Sequence, residues 1–150
     1  MSVIFLDAAP LGMITNPKST EENDECRLWL RSLTAQGVRI IIAEIIDYEV
    51  RRELLRANKP SGIVRLDLLR DGLEYLPITT AAMHKAAELW ADVRRHGKPT
   101  ADPHALDGDV ILAAQALTSG IDADDLLVAT TNVGHLDRLI TAKHWRDVSG

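Results

Sequence analysis

The chain has 150 residues, of which 46% are hydrophobic and 26% are charged, and its formal net charge is -5. A chain of this length and composition can bury its own core, which excludes the disordered and fibrous classes of protein. Its one cysteine, Cys26, excludes an intramolecular disulfide and a zinc site built from several thiolates, as expected in a reducing compartment. We therefore predict a single cytoplasmic domain spanning residues 1–150.

The first apolar run is Val3–Leu6, and Asp7 ends it. The run predicts a short buried strand with Asp7 at its C-terminal end. It is too short for the apolar part of a signal peptide or for a membrane span, so we expect neither export nor membrane insertion. Pro10 and Gly12 then indicate a turn or a short helical piece.

Two helices and a second strand are predicted in the next part of the chain. Acidic residues crowd the positions after Thr20 and an apolar stripe continues to Gly37, a pattern typical of a helix. Val38–Ile42 is a second continuous apolar run and predicts a buried strand. From Glu44 to Asn58 apolar residues recur at helical spacing with charges between them, so we expect a helix directly after this strand.

The middle of the chain predicts another helix, a third strand and a capped helix. Lys59–Gly62 is expected to break the preceding helix, and Ile63–Leu69 to begin the next one. Leu73–Ile78 has the composition of a strand. Thr79 or Thr80 is placed to cap the amphipathic helix that follows.

The last third of the chain begins with a predicted loop, Gly97–His104. Asp107–Leu117 follows as an alanine-rich helix that is apolar on most faces, and Leu126–Ala129 predicts a fourth strand. Strands that alternate with helices in this way are typical of a mainly parallel sheet covered on both faces. We therefore predict a three-layer α/β/α domain with a mainly parallel sheet of four to five strands.

Polar side chains stand at the C-terminal ends of these strands. Asp7 ends the first strand, Glu49 lies in the second turn of the helix after the second strand, Asp109 opens the alanine-rich helix, and Asn132 follows the fourth strand. Ligand sites form at this edge of open α/β sheets, and Mg²⁺ and Mn²⁺ prefer oxygen ligands. Each residue alone also fits a turn, a cap or an exposed helical position. Together they predict a divalent-metal site, because clustered carboxylates repel one another unless a cation or a proton intervenes.

Two other acids lie close to Glu49 in the sequence. Asp47 is two positions before Glu49 and so points away from it on a helix, and Glu44 falls in the first turn, where the helix dipole favours any acid. We therefore select Glu49 as the acid that faces the site.

These motifs resemble the PIN-domain ribonucleases, a family that includes the VapC-type toxins of bacterial toxin–antitoxin pairs. The resemblance covers nearly the whole chain. It depends on the strand ending in Asp7, on residues 43–49 after the second strand, on residues 109–117, and on residues 127–136. It implies that Asp7, Glu49 and Asp109 bind Mg²⁺ or Mn²⁺, and that Thr130–Asn132 is the polar segment beside them. It also implies an RNA substrate, an antitoxin protein as a partner, and a homodimer.

The sequence departs from the family pattern at two places. Ala8 and Ala9 follow the first acid where Thr, Ser or Asn is common, and His135 stands where many members have a fourth acid. Asp107 could supply the missing carboxylate only if it lies before the helix, because positions two apart on a helix point about 200° away from each other. An N-cap is the equal alternative for Asp107, and a helix start or surface position is the alternative for His135.

The predicted activity is phosphodiester hydrolysis by a metal-activated water, with Asp7, Glu49, Asp109 and Asn132 as catalytic residues. Thr131 and Arg52 are predicted to contact the substrate. Basic residues in two stretches are predicted to guide the RNA backbone, with solvated helix faces as the alternative. These residues are Arg51, Arg52, Arg56, Lys59, Arg65 and Arg70, and then Arg94, Arg95, His96 and Lys98.

Two other functions compete with hydrolysis. The departures at Ala8, Ala9 and His135 favour a catalytically weakened domain that binds a protein or RNA. An aspartate nucleophile of the kind found in haloacid-dehalogenase-like phosphatases also fits an acid after the first strand, but those enzymes carry a second Asp two residues later, where this chain has Ala9.

Overall fold

The computed structural model describes residues 1–96 and 103–150. Its strands are β1 (Val3–Leu6), β2 (Arg39–Ala43), β3 (Glu74–Leu76), β4 (Leu126–Thr130) and β5 (Ala142–His144). The helices of the described part are α1 (Ala8–Thr15), α2 (Glu21–Ala35), α3 (Glu44–Arg56), α4 (Pro60–Gly72), α5 (Thr80–His96), α6 (Pro103–Leu117) and α7 (Val133–Leu136). Most of the predicted loop Gly97–His104, including Lys98, lies outside the described residues.

All five strands form one parallel sheet in the order β3-β2-β1-β4-β5. The central strand, β1, pairs with β2 on one side and with β4 on the other, where Leu6 lies opposite Ala129. The sheet is flanked by the helices, so the predicted three-layer α/β/α architecture is confirmed. This topology brings the C-terminal ends of β1, β2 and β4 to the same edge of the sheet.

The core lies around the three central strands. Residues Val3–Leu6 are at most 5% exposed, and every residue of β4 is buried. Strands covered on both faces have continuous apolar sequences rather than alternating ones, which explains why the apolar runs predicted them correctly. The alanine-rich face of α6 is equally buried, and its small side chains allow the helix to lie close to α5 and β2.

The helix ends follow the expected capping chemistry in several places. The Thr20 side chain accepts a hydrogen bond from the backbone N–H of Asn23 at 3.1 Å and so caps α2. The Thr79 hydroxyl accepts from Ala82 at 3.0 Å, which identifies Thr79 rather than Thr80 as the cap of α5. Gly37 ends the α2 region with a positive φ of 77°, a conformation that glycine adopts without strain.

Prolines begin helices where the sequence predicted breaks or loops. Pro60 is the first residue of α4. The break between α3 and α4 therefore ends at Lys59 and does not extend to Gly62 as was predicted. Pro103 likewise begins α6, four residues before the predicted start at Asp107. Proline fits the first helical turn because the N–H that it lacks would have no partner inside the helix.

Two further elements complete the fold. The segment with Pro10 and Gly12 is the short helix α1, which agrees with the helical alternative predicted for it, and Pro10 lies in its first turn. Three residues near the C-terminus, Ala142–His144, add the edge strand β5. No helix in residues 1–96 and 103–150 is both long enough and apolar enough to cross a bilayer.

Candidate metal-binding crevice

Asp7 is fixed at the centre of the sheet edge. Its backbone N–H donates a hydrogen bond to the carbonyl of Ala129 at 3.0 Å, which continues the pairing of β1 with β4 by one residue. Its Oδ1 accepts from the backbone N–H of Ala8 at 2.8 Å and so caps α1. The structure therefore makes Asp7 the N-cap of α1 and also places its carboxylate at the candidate site.

Thr130 holds the second oxygen of the same carboxylate. The Thr130 side chain is fully buried, and its hydroxyl donates to Oδ2 of Asp7 at 2.7 Å. The same hydroxyl oxygen accepts a hydrogen bond from the backbone N–H of Asn132 at 2.9 Å. One side chain thus fixes both Asp7 and the start of the loop after β4.

No separate role was predicted for Thr130 from the sequence. The feature that could have identified it is a hydroxyl residue at the end of an otherwise apolar buried strand. Such a side chain needs hydrogen-bond partners, because burying a hydroxyl without them is costly.

Of the three acids near the start of α3, the structure brings only Glu49 to the crevice. Glu44 accepts a hydrogen bond from the backbone N–H of Ile78 at 2.7 Å and thereby ties α3 to the end of β3. Asp47 is buried and forms an ion pair with Arg51 at 3.0 Å. The selection of Glu49 from helical geometry agrees with this placement.

Asp109 and Asp107 lie on different sides of α6. Asp109 is partly buried and lines the crevice, whereas Asp107 is exposed and is absent from the residues that line it. The helix begins at Pro103, so Asp107 neither precedes the helix nor caps it. The condition under which Asp107 could join Asp109 is therefore not met, and Asp107 is corrected to a surface position.

Gly108 lies between these two acids, and the Glu49 carboxylate packs against it. A Cβ atom at position 108 would lie 3.2 Å from the carboxyl carbon of Glu49 and closer still to Oε1. Glycine therefore allows the Glu49 side chain to approach α6. This close approach depends on the packing of α3 against α6, which the sequence alone does not reveal.

The crevice has a volume of about 420 Å³ and opens at the C-terminal edge of the sheet. The three acids, Asp7, Glu49 and Asp109, come from three separate elements. The other residues that line it are Ala8, Ala9, Arg52, Thr131, Asn132, His135 and Leu136. All the predicted catalytic and substrate-contacting residues thus lie in one concavity.

The polar rim of the crevice is formed by the residues after β4. Thr131 and Asn132 are exposed, and Nδ2 of Asn132 lies 3.2 Å from Nδ1 of His135. His135 belongs to the short helix α7, which agrees with the helix position predicted as its alternative. It also lines the crevice. His135 and Asn132 can orient each other through this hydrogen bond.

The carboxylates influence one another strongly. Partial burial raises the pKa of Asp109 to about 7, and the negative charges of Asp7 and Glu49 add to the effect while Arg138 opposes it. Burial and the charge of Asp7 also raise the pKa of Glu49, against the influence of Arg52. Both shifts have the direction expected when several carboxyl groups share a site with little positive charge.

The chemistry of this donor set fits a hard divalent cation. Carboxylate oxygens are the ligands that Mg²⁺ prefers, and Mg²⁺ usually keeps several waters instead of being enclosed by the protein. In the described part of the chain, no three His, Cys, Asp or Glu side chains stand close enough together to form a complete metal cluster. The mutual repulsion of Asp7, Glu49 and Asp109 would decrease when a cation binds.

Most of the predicted basic residues have structural partners. Arg51 bonds to Asp47 and Asp67, Arg56 pairs with Glu53, and Arg70 stacks on Tyr75. Arg52 alone among the lysines and arginines of the described chain lines the crevice. The alternative of solvated or paired helix faces therefore describes most of the first basic stretch, with Arg52 as the exception.

Comparison with known proteins gives a match to one family model. The model of the PIN domain matches residues 4–139. No curated protein sequence is significantly similar to the chain.

Several solved structures share the fold. VapBC2 from Rickettsia felis, bound to a promoter DNA fragment, is 18% identical, with 95% of this chain and 98% of that chain covered and a TM-score of 0.71. FitAcB from Neisseria gonorrhoeae is 21% identical, with 97% and 100% covered and a TM-score of 0.67. VapBC-1 from nontypeable Haemophilus influenzae is 15% identical, with 97% and 99% covered and a TM-score of 0.67.

Proposed function

The chain belongs to the PIN domain family, and on this basis we propose that it is a divalent-metal-dependent ribonuclease. The observation that carries the proposal is the convergence of Asp7, Glu49 and Asp109 in one crevice, where burial first and acidic neighbours second raise the pKa values of Glu49 and Asp109. Such a site is poorly suited to an anion by itself and needs a cation to receive a phosphodiester.

Asp7, Glu49 and Asp109 would hold Mg²⁺ or Mn²⁺. The bound ion would act as a Lewis acid on the phosphoryl oxygens and lower the pKa of the attacking water. Asp109 must lose its proton to become a ligand, so cation binding and proton release at this carboxyl are coupled. Thr130 keeps Asp7 oriented through the 2.7 Å hydrogen bond from its hydroxyl.

The remaining polar residues would position the substrate. Thr131 and Asn132 present a hydroxyl and an amide at the open rim, where they can donate hydrogen bonds to phosphate oxygens. Arg52 provides the positive charge that favours a phosphate at the mouth of the crevice. No side chain is required as a nucleophile in this scheme.

The test is cleavage of a panel of structured and single-stranded RNAs by the wild type and Asp7→Asn, with Mg²⁺, Mn²⁺ or a chelator. We expect cleavage that requires both the ion and Asp7. Asp107→Asn is the matched control, because Asp107 is a carboxylate on the same helix as Asp109 but faces away from the crevice. Full cleavage by Asp7→Asn, or equal loss in Asp107→Asn, would contradict the assignment.

We also propose that the chain is the toxin of a toxin–antitoxin pair. The similar structures from Rickettsia felis and Haemophilus influenzae are VapBC complexes, which supports this proposal. A groove between α1 and α3 shares Ala8, Ala9 and Glu49 with the crevice and continues to Lys59. An antitoxin segment lying in this groove could reach the acidic residues and block the site.

Growth measurements test the toxin proposal. We expect induction of the wild type to slow bacterial growth, Asp7→Asn to have no effect, and co-expression of the antitoxin encoded beside it to restore growth. Slowed growth with Asp7→Asn would show that toxicity does not come from the crevice.

We also expect the chain to form a homodimer, and sedimentation of the purified chain measures its oligomeric state.

A catalytically weakened binding domain is the second candidate function. It is favoured by His135, an imidazole in the crevice where many PIN domains have an acid, since imidazole is a poorer ligand for Mg²⁺ than a carboxylate. This function predicts RNA or protein binding without cleavage. Stoichiometric Mn²⁺ binding that Glu49→Gln abolishes, together with RNA cleavage, would eliminate it.

A further inference from the structure

One exposed aromatic side chain lies beside the crevice without a role in the core. Tyr48 is 56% exposed on α3, whereas Ile46, Val50 and Leu54 of the same helix are buried. Folding therefore gains little from the Tyr48 ring. The exposed Tyr48 ring is accessible to a ligand, and aromatic rings of this kind can stack on nucleic-acid bases.

Arg52 connects Tyr48 to the crevice. The Arg52 guanidinium carbon lies 5.1 Å from the centre of the Tyr48 ring, and Arg52 itself lines the crevice next to Glu49. The two residues are four apart on α3, so helical geometry places them side by side. The pair therefore extends from the crevice, which Arg52 lines, to the exposed ring of Tyr48 on α3.

Arg52 is also available for a ligand, in contrast to its neighbour. Arg51 is held by Asp47 and Asp67, but no carboxylate oxygen in the described residues lies within ion-pair distance of Arg52. The Arg52 guanidinium thus keeps its hydrogen-bond donors free for a phosphate while its face is stacked on Tyr48.

We propose that Tyr48 and Arg52 form a platform on which an unpaired base of a single-stranded RNA stacks, directly beside the bond to be cleaved. The proposal rests on the proposed ribonuclease function and assigns two residues of this chain to the recognition of its substrate. Single-stranded RNA is recognised by stacking of splayed bases on aromatic rings and guanidinium planes, whereas bases inside a duplex are already stacked on one another. The platform therefore selects unpaired RNA, and Arg52 can bind the adjoining phosphate.

The experiment measures binding of fluorescent oligonucleotides to variants made in the Asp7→Asn background, which keeps the RNA intact. The probes are a short single-stranded RNA, a duplex of the same length, and a strand of the same length with abasic residues. We expect Tyr48→Ala to weaken binding of the single-stranded RNA by roughly five- to fiftyfold. Binding of the abasic strand should be unchanged, because it retains the phosphates and lacks the bases.

The chain offers a matched control with the same chemistry on another helix. On α5 the Arg94 guanidinium carbon lies 5.2 Å from the Trp90 ring centre, and neither residue lines the crevice. Trp90→Ala should leave RNA binding unchanged. Tyr48→Phe retains the aromatic face and should bind single-stranded RNA like the parent, which separates stacking from a hydrogen bond of the hydroxyl.

Three results would overturn the platform. One is unchanged single-stranded binding in Tyr48→Ala, and another is an equal loss for the abasic strand. The third is conversion of a dimer into a monomer by Tyr48→Ala, which would show that the exposed face is covered by a second copy of the chain.

If the wild type cleaves no RNA but Tyr48-dependent binding persists, the ribonuclease proposal fails and the platform stands. If RNA cleavage requires Asp7 but Tyr48→Ala does not change RNA binding, only the proposed platform of Tyr48 and Arg52 is refuted.

Discussion

The hydroxyl of Thr130 donates a hydrogen bond to Oδ2 of Asp7 at 2.7 Å, although the two residues are 123 positions apart in the chain. The contact exists because β1 and β4 are neighbours in the sheet and end at the same level. It leaves Asp7 with one oxygen bonded to Thr130 and the other to the backbone of Ala8. The orientation of the central carboxylate is therefore set by two donors before any ligand binds.

Thr130→Val should reduce ribonuclease activity about tenfold or more while the protein stays folded. Valine has the same shape but lacks the hydroxyl, and outer partners of metal-binding carboxylates typically affect affinity or activity by 10–100-fold. The free energy of unfolding should fall by about 1–2 kcal/mol, since the backbone N–H of Asn132 also loses its acceptor. Thr130→Ser should recover most of the activity. RNA cleavage kinetics and Mn²⁺ titrations of both variants measure these effects. Full activity in Thr130→Val would show that Asp7 does not need the hydrogen bond from the Thr130 hydroxyl.

Gly108→Ala should weaken Mn²⁺ binding without destabilising the protein. The added methyl group would collide with the Glu49 carboxylate, which can swing away because it is the end of a flexible side chain. Alanine is a better helix former than glycine by up to about 1 kcal/mol, so the unfolding free energy should be equal or higher. Gly12→Ala is the control, because a Cβ there meets no atom within 4 Å. Calorimetry that finds the same Mn²⁺ affinity in both variants would refute the role of Gly108.

Without metal, the protein should lose stability as the pH rises from about 4 to about 8. The pKa of Asp109 is about 7 in the folded protein and near the ordinary value of 3.8 in the unfolded chain, so the folded state binds the extra proton. The stabilisation is fully present below the unfolded pKa and is lost as the pH rises through the folded pKa. The raised pKa of Glu49 acts in the same direction. The expected loss is about 1–2 kcal/mol, because partial solvent exposure screens the repulsion.

Thermal unfolding in a chelator at several pH values measures this loss. Asp109→Asn should flatten the profile and be more stable than the wild type above about pH 7, since its amide carries no charge to repel Asp7 and Glu49. Saturating Mn²⁺ should reverse the wild-type trend, because deprotonated carboxylates bind the ion better. A flat wild-type profile would mean that burial and the neighbouring acids do not raise the pKa of Asp109 in solution.

Asp47 and Glu49 should respond in opposite ways to loss of charge. Asp47→Asn removes one partner of the buried Arg51 ion pair and should lower the unfolding free energy by about 1–3 kcal/mol, with cleavage retained. Glu49→Gln removes a repelled charge and should leave stability equal or higher, with cleavage abolished. Urea unfolding and RNA cleavage assays of the two variants test this contrast. Similar changes in stability and in cleavage for Asp47→Asn and Glu49→Gln would contradict it.

Much of the fold could be predicted because the sheet is buried on both faces. The runs Val3–Leu6, Val38–Ile42 and Leu126–Ala129 are apolar without interruption, and such runs become central parallel strands in this architecture. Parallel strands also end at one edge, so the positions of Asp7 and Asn132 followed from the strand ends alone. The choice of Glu49 over Asp47 needed only the helical period.

Other features depended on which elements pack together. Pro103 could have belonged to a loop or to a helix start, and the structure places it at the start of α6, so that Asp107 lies inside the helix and points away from Asp109. The close approach of Glu49 to Gly108 likewise leaves no periodic signal in the sequence, because it joins two different helices.

Local patterns thus determined the strands, most of the helices and the acids that end or follow them, because burial and helical period act over a few residues. The tertiary structure decided which hydroxyl holds Asp7, which glycine admits Glu49 and which arginine remains free at the crevice. Those relationships join residues that are far apart in the chain. They arise only when the strand order β3-β2-β1-β4-β5 brings their elements into contact.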